Sequence, residues 1–228
     1  MTSFVFDVDG TLTDVREKID PKFDYFMRKF VSKNPCYICT GSDRPKTLEQ
    51  LGEPLTNMFI KSFNCSGNQV FEKGMEIHRV DWSLSSDECA FLEHELAKAD
   101  CPDKTGFHFD FRVGTVNFSI VGRNADPRER QRFVEWDRHT NTRTSIAQKF
   151  NQQFPESEAV LGGDTSLDIF KKNHDKGQVK AMIPDDIIFF GDKCYPSGND
   201  YSLSILAEKS YQINFGWKET YEILKNKY

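Results

Sequence analysis

The sequence predicts an α/β protein with a doubly wound parallel sheet core, interrupted by an inserted α+β domain of antiparallel sheet plus helices. Three observations carry this expectation. Short apolar runs at Phe4–Val8 and Tyr37–Cys39 each end in a polar loop and lead into a helical pattern, the repeat of a parallel sheet with crossover helices. Two alternating runs in the middle of the chain, 107–112 and 115–121, meet at Gly114 as a hairpin would. A further buried-strand run, Ile187–Phe190, then resumes the first pattern. The expected division is 1–79 with 173–228 for the core and 80–172 for the insert.

The elements follow in order. After the first strand, Asp20-Pro21 reads as an N-cap with proline at the first helical position. Phe23, Phe26, Met27, Phe30 and Val31 then recur at helical spacing. The second strand ends in Thr40-Gly41-Ser42-Asp43, and Pro45 begins a helix through Leu51. Within the insert, residues 86–99 read as a helix. Asp126-Pro127-Arg128-Glu129 has the form of a capping box, and one long helix is expected from it to about Phe154. Short strands are expected at Val160–Gly162 and Ser166–Phe170. In sheets of this kind ligands bind beyond the carboxyl ends of the strands, where Asp7 and Thr40 both stand.

Composition narrows the function classes. The chain has 228 residues, 38% hydrophobic and 29% charged, with a formal charge of −5, which reads as globular and argues against non-specific nucleic-acid binding. No apolar stretch reaches membrane-spanning length. The first apolar run is too short for a signal peptide, so the six cysteines are expected as reduced thiols in a cytoplasmic protein. Cys36 and Cys39 lack the further ligands of a zinc site.

Asp7 and Asp9 flank one residue at a strand end. Two carboxylates so close need a cation or a proton between them, and magnesium, which prefers oxygen ligands, suits the pair. Asp7 is the candidate nucleophile, because an aspartate can accept a phosphoryl group as an aspartyl-phosphate. Asp9 is the candidate general acid and base. Asp7-Val8-Asp9-Gly10-Thr11-Leu12-Thr13 after an apolar strand resembles the first motif of the haloacid dehalogenase superfamily. Thr40-Gly41-Ser42-Asp43 is similar to its second motif, Asp175-Lys176-Gly177 to its third, and Gly191-Asp192 with Asn199-Asp200 to its fourth. The resemblance implies a Rossmann-like core with a cap. It also implies a phosphate-binding hydroxyl at Thr40 or Ser42, a charge-balancing catalytic Lys176, and magnesium at Asp7, Asp9 and Asp192.

In the insert, alternation places His108, Asp110 and Arg112 on one face of a strand, with Asn117 and Ser119 on one face of the next and Ser166 with Asp168 on a third. Arg112, Arg123 and Arg130 lie near strand or helix ends, and arginine forks match phosphate oxygens. The helix dipole favours acids, not Arg130, in a first turn. Phe111-Arg112-Val113-Gly114, Asn117-Phe118-Ser119, Ser166-Leu167-Asp168-Ile169-Phe170 and the long run Gly191–Asp200 resemble the eukaryotic-type phosphomannomutase family. The resemblance departs at Gly67-Asn68-Gln69-Val70, where that family has Asn-Gly-Leu-Val, and at Thr40, where it has glycine.

By this resemblance Arg16, Arg112, Arg123, Arg130, Ser166 and Asp168 would bind a hexose phosphate. Mannose 6-phosphate and mannose 1-phosphate would be interconverted with a hexose 1,6-bisphosphate activator, supplying GDP-mannose biosynthesis. A homodimer through the cap is implied, with Phe133 and Trp136 either at the interface or in the core. The rival expectations are a magnesium-dependent sugar-phosphate phosphatase using the same Asp7, and a non-catalytic relative.

Overall fold

The computed structural model describes residues 2–228. The chain forms two compact units, Met1–Val80 with His174–Tyr228, and Asp81–Asn173.

The first unit opens with β1 (Thr2–Phe6), two residues earlier than the apolar run suggested, so Asp7 is the first residue past the strand. Helix α1 (Pro21–Val31) is capped by Asp20, whose carboxylate accepts from Lys22 N and Phe23 N. Next come β2 (Cys36–Cys39), α2 (Arg44–Leu51) and the single turn α3 (Glu53–Thr56). After them lie β3 (Lys61–Asn64), β4 (Gln69–Glu72) and β5 (Met75–Arg79). The β4–β5 hairpin is antiparallel and went unread in the sequence; every residue of β5 is exposed, the alternating Met75 and Ile77 included.

The second unit contains α4 (Ser86–Lys98), β6 (Phe109–Arg112), β7 (Thr115–Ser119), α5 (Pro127–Thr140), α6 (Thr142–Gln153), β8 (Ser157–Gly162) and β9 (Ser166–Lys171). The single long helix expected here is two helices. Asn141 takes a left-handed conformation (φ 52°) and ends α5 with its N–H on Asp137 O at 2.7 Å. Asparagine tolerates that conformation better than most residues. The four strands form an antiparallel sheet in the order β6-β7-β9-β8. Phe118, Leu167 and Ile169 pack on the helices through Phe133, Ile146 and Phe150. Phe133 is buried, with half-buried Trp136 against it at 5.6 Å. Both therefore belong to this core.

The chain returns to the first unit with a 3-10 segment at Lys176–Met182, then β10 (Asp186–Gly191), α7 (Tyr201–Leu206), β11 (Lys209–Gln212) and α8 (Trp217–Lys227). Its sheet runs β11-β10-β1-β2-β3-β4-β5, parallel from β11 to β3. β1 is buried on both faces, Phe4 and Phe6 on one side and Val5 on the other, which is why it reads as a continuous apolar run. Phe6 stacks on Phe190 of the adjacent β10 at 5.0 Å. Among the described residues no helix is long and apolar enough to cross a membrane.

Candidate active site

The carboxyl ends of β1 and β10 lie side by side in the first unit, since Asp7 N donates to Phe190 O at 2.9 Å. That register brings Asp7, after β1, to Asp192, after β10. Asp200, just before α7, joins them, and one carboxylate oxygen from each of the three lies within 4.8 Å of the others. Glycines make the room. A Cβ on Gly10 would stand 2.7 Å from Asp192 Oδ2, and one on Gly191 would stand 2.6 Å from Asp200 Oδ2.

Lys176 is fully buried and donates from Nζ to Asp7 Oδ1 and Asp200 Oδ1, both at 2.6 Å. Lys193 reaches Asp192 Oδ2 at 3.2 Å from the rim. Three carboxylates against two ammonium groups leave the cluster net anionic. Burial pushes the Asp7 carboxyl well above its ordinary range, and Asp200 and Asp192 add to this against the pull of Lys176. Burial, with Asp200, also pushes Asp192 up to about 6. Burial works against the charge on Lys176, but Asp200 and Asp7 outweigh it and raise its pKa. Oxygen donors with uncompensated negative charge are what a hard divalent cation such as magnesium requires.

Asp9 stands apart from this group. The sequence placed Asp7, Asp9 and Asp192 around the cation, whereas the carboxylates brought together are Asp7, Asp192 and Asp200. The Asp9 side chain turns to α2, where Lys46 Nζ and Gln50 Nε2 each donate to it at 2.8 Å. The amide of Arg16 adds a third bond at 2.7 Å, and Ser42 Oγ a longer one at 3.4 Å. Burial works to raise its pKa, yet Lys46, helped by the Arg16 amide and Gln50, holds it below the ordinary value. Arg16 itself has φ 65°. Lys46 and Gln50 are four residues apart on one helix face, a spacing the sequence shows but whose target it does not.

Thr40 follows β2 directly and is buried, with Oγ1 accepting from Ser42 N at 3.1 Å. Ser42 thus reaches Asp9 directly, and the Thr40 hydroxyl holds the Ser42 amide.

In the second unit the polar face of the sheet is a bonded array. Asp110, Asn117 and Asp168 are cross-strand neighbours. Asp110 Oδ2 accepts from Arg112 Nη2 at 2.6 Å and lies 3.0 Å from Arg123 Nη2. Asn117 accepts from Arg123 Nη1 at 3.0 Å and donates to Ser166 Oγ at 2.9 Å and Asp168 Oδ1 at 2.7 Å. A Cβ on Gly162 would come within 2.5 Å of the Asp168 carboxyl. Arg130 donates to Ala125 O, Thr165 Oγ1 and Arg123 O at 3.0, 3.0 and 3.1 Å. It joins the helix start to the strand ends, and burial, with Arg123 beside it, lowers its pKa. All five predicted residues of this unit, Arg112, Arg123, Arg130, Ser166 and Asp168, thus lie in one network. Asn117, which links them, was legible as a face position and as part of a resembled motif, but not as the link. Arg143 was missed: it spans Asp137 and the carbonyls of Gly163 and Ser166.

A family model described as eukaryotic phosphomannomutase matches residues 23–222. A phosphomannomutase of Arabidopsis thaliana is 34% identical over 209 residues, 87% of this chain and 85% of its own length. Phosphomannomutase 1 of Dictyostelium discoideum is 33% identical over 215 residues, 89% and 86% of the two chains. Among solved structures, an IMP-bound, N-terminally truncated IMP-nucleotidase of Plasmodium falciparum aligns with a TM-score of 0.69 at 13% identity, covering 99% of this chain and 67% of that one. A sugar phosphatase of haloacid dehalogenase subclass IIB aligns with a TM-score of 0.60 at 14% identity, covering 97% and 91%. At such identities the structures speak for the fold, which is that of the haloacid dehalogenase superfamily with a cap.

Proposed function

The chain belongs to the eukaryotic phosphomannomutase family, and from that premise we propose that it interconverts mannose 6-phosphate and mannose 1-phosphate in the cytoplasm, with a hexose 1,6-bisphosphate as activator. An Asp7 carboxylate oxygen attacks phosphorus, the bond from phosphorus to the sugar oxygen breaks, and an aspartyl-phosphate forms. The leaving sugar oxygen takes a proton from Asp9. In the second half-reaction Asp9 takes the proton from the other sugar hydroxyl as that oxygen attacks the aspartyl-phosphate. The Lys46 pair holds Asp9 ionised, ready as the base, so its turn as acid requires the carboxylate to leave Lys46.

Asp7, Asp192 and Asp200 would hold magnesium, whose charge, when bound, offsets that of the phosphoryl group. Lys176 keeps Asp7 in place, and the hydroxyl of Thr40 or Ser42 receives the transferred phosphoryl oxygens. Electrostatic stabilisation of this kind is most of what a phosphoryl-transfer site can supply. Arg16 joins the sugar-phosphate contacts.

The observation that favours a mutase over a hydrolase is the array of guanidiniums on the second unit. Arg112 and Arg123 both reach the Asp110 carboxylate, and with Arg130 they put three guanidiniums into a network that holds two carboxylates, Asp110 and Asp168. A mutase must hold one phosphate while it transfers the other, and such a face suits the held one.

The test is a coupled assay with mannose 1-phosphate, magnesium and catalytic hexose 1,6-bisphosphate, following mannose 6-phosphate and free phosphate together. Mannose 6-phosphate that depends on the bisphosphate, with little free phosphate, is the expected result. Free phosphate without isomerisation would replace the mutase by a phosphatase.

A further inference from the structure

Between β3 and β4 the chain makes a turn that non-glycine residues adopt at a cost. Cys65, Ser66 and Gly67 have φ of 48°, 59° and 92° in succession. Such strain persists only where the surroundings over-determine it, and it concentrates at functional sites. Gly67 has no room for a side chain, since a Cβ there would stand 2.8 Å from Val179 Cγ1.

This turn carries the candidate phosphate loop. Ser66 N donates to Thr40 O at 2.9 Å, and Cys65 N donates to Ser42 O at 3.0 Å. The carbonyls of both residues whose hydroxyls are candidate phosphate ligands are therefore pinned from below by the strained turn. Where those hydroxyls stand depends on whether the turn keeps its shape.

Two side chains hold that shape. Asn68, fully buried, donates from Nδ2 to Cys65 O at 2.8 Å, and its own amide adds a second bond to the same carbonyl at 3.1 Å. Gln178 donates from Nε2 to Ser66 O at 2.8 Å. The same two side chains meet again on a third carbonyl, His174 O, at 3.1 Å from Asn68 and 3.0 Å from Gln178. The main-chain carbonyl of Asn68 accepts from Val80 N at 2.8 Å. Val80 is where the chain leaves the first unit and His174 is where it returns. Lys176 follows two residues later.

We propose that Asn68 and Gln178 are positioning residues for phosphate binding. They clamp the 65–67 turn, and through it the Thr40 and Ser42 hydroxyls, and they fix the return segment that delivers Lys176. The proposal rests on the reading of Thr40 and Ser42 as phosphate ligands.

The test uses the full chain with magnesium and orthovanadate as the phosphate probe. Its dissociation constant is measured by calorimetry for the wild type, Asn68→Ala, Gln178→Met and the double variant, beside urea unfolding of each. Gln178 is only half-buried, so its variant remains folded if Asn68→Ala does not. Each single variant is expected to bind vanadate about 10-fold more weakly. The double variant should be little worse than either, because residues serving one element couple rather than add. Variants that lose stability yet bind vanadate as the wild type does would overturn the proposal and leave the phosphate site standing. A wild type that does not bind vanadate would remove the phosphate site itself, and the proposal with it.

Discussion

Replacing Lys176 by methionine keeps the length of the side chain and removes its charge. Lys176 Nζ is buried at 2.6 Å from both Asp7 and Asp200, whose side chains are almost wholly buried too. Removing one member of a buried ion pair costs about 3–5 kcal/mol, because a buried charge is left unpaired. Here two carboxylates lose their partner. They can escape the cost only by taking up protons, and burial already pushes Asp7 in that direction. In the variant the folded state therefore binds more protons than the unfolded state at any pH between the ordinary carboxylate value and the raised one. Stability then falls as pH rises through that window, by about 1.4 kcal/mol per pH unit for each extra proton bound. The assay is urea unfolding followed by tryptophan fluorescence, in chelator, at several pH values from 5 to 8. A deficit of about 3–5 kcal/mol at the alkaline end that shrinks towards pH 5 is expected. A deficit below about 1 kcal/mol at pH 8, the size of an exposed ion pair, or one that does not change with pH would refute the reasoning.

Three further outcomes follow from the same geometry. Magnesium should raise the melting temperature, and more at pH 8 than at pH 5, because its ligands must be deprotonated and Asp192 is pushed up to about 6; thermal shift with magnesium against chelator reads this directly. Lys46→Met removes the cation that holds Asp9 ionised, so the acidic limb of the kcat/KM profile should move to higher pH; a profile that stays in place would mean that Asp9 does not titrate in the rate-limiting step. Gly162→Ala puts a methyl group within 2.5 Å of the Asp168 carboxyl and should displace it from Asn117. Sugar-phosphate turnover should fall by roughly 10- to 100-fold, the loss of a charged hydrogen bond, while hydrolysis of a small aryl phosphate by the other unit persists.

How much of this was legible depended on where each partner lies along the chain. The fold class, the inserted α+β unit and the family were readable because each signal is local: Phe4 to Phe6 of β1 are apolar since both faces of the strand are covered, and the candidate nucleophile Asp7 is the next residue. The motif residues Asp7, Thr40, Lys176 and Asp192 share that property, each standing beside a strand end or turn that composition marks. Asp9 shows the limit. Its spacing from Asp7 suggested a shared cation, but the choice of partner was made by Lys46 and Gln50, some forty residues away on a helix whose orientation no local pattern encodes. Asp200 was likewise part of a motif, yet its place beside Asp7 arises from a lysine 24 residues upstream and from a glycine that leaves room for it. Asn141 broke a helix by its backbone conformation, where its neighbours kept a periodicity compatible with an unbroken one. Asn68 is the sharpest case. In the sequence it was only a departure from a motif, and its meaning depends on side-chain bonds to Cys65 and His174 and a main-chain bond from Val80 that bring three separate segments onto one residue. A residue whose role is to join distant segments leaves no periodic trace, so departures from a resembled motif at buried turns are where such roles should be sought.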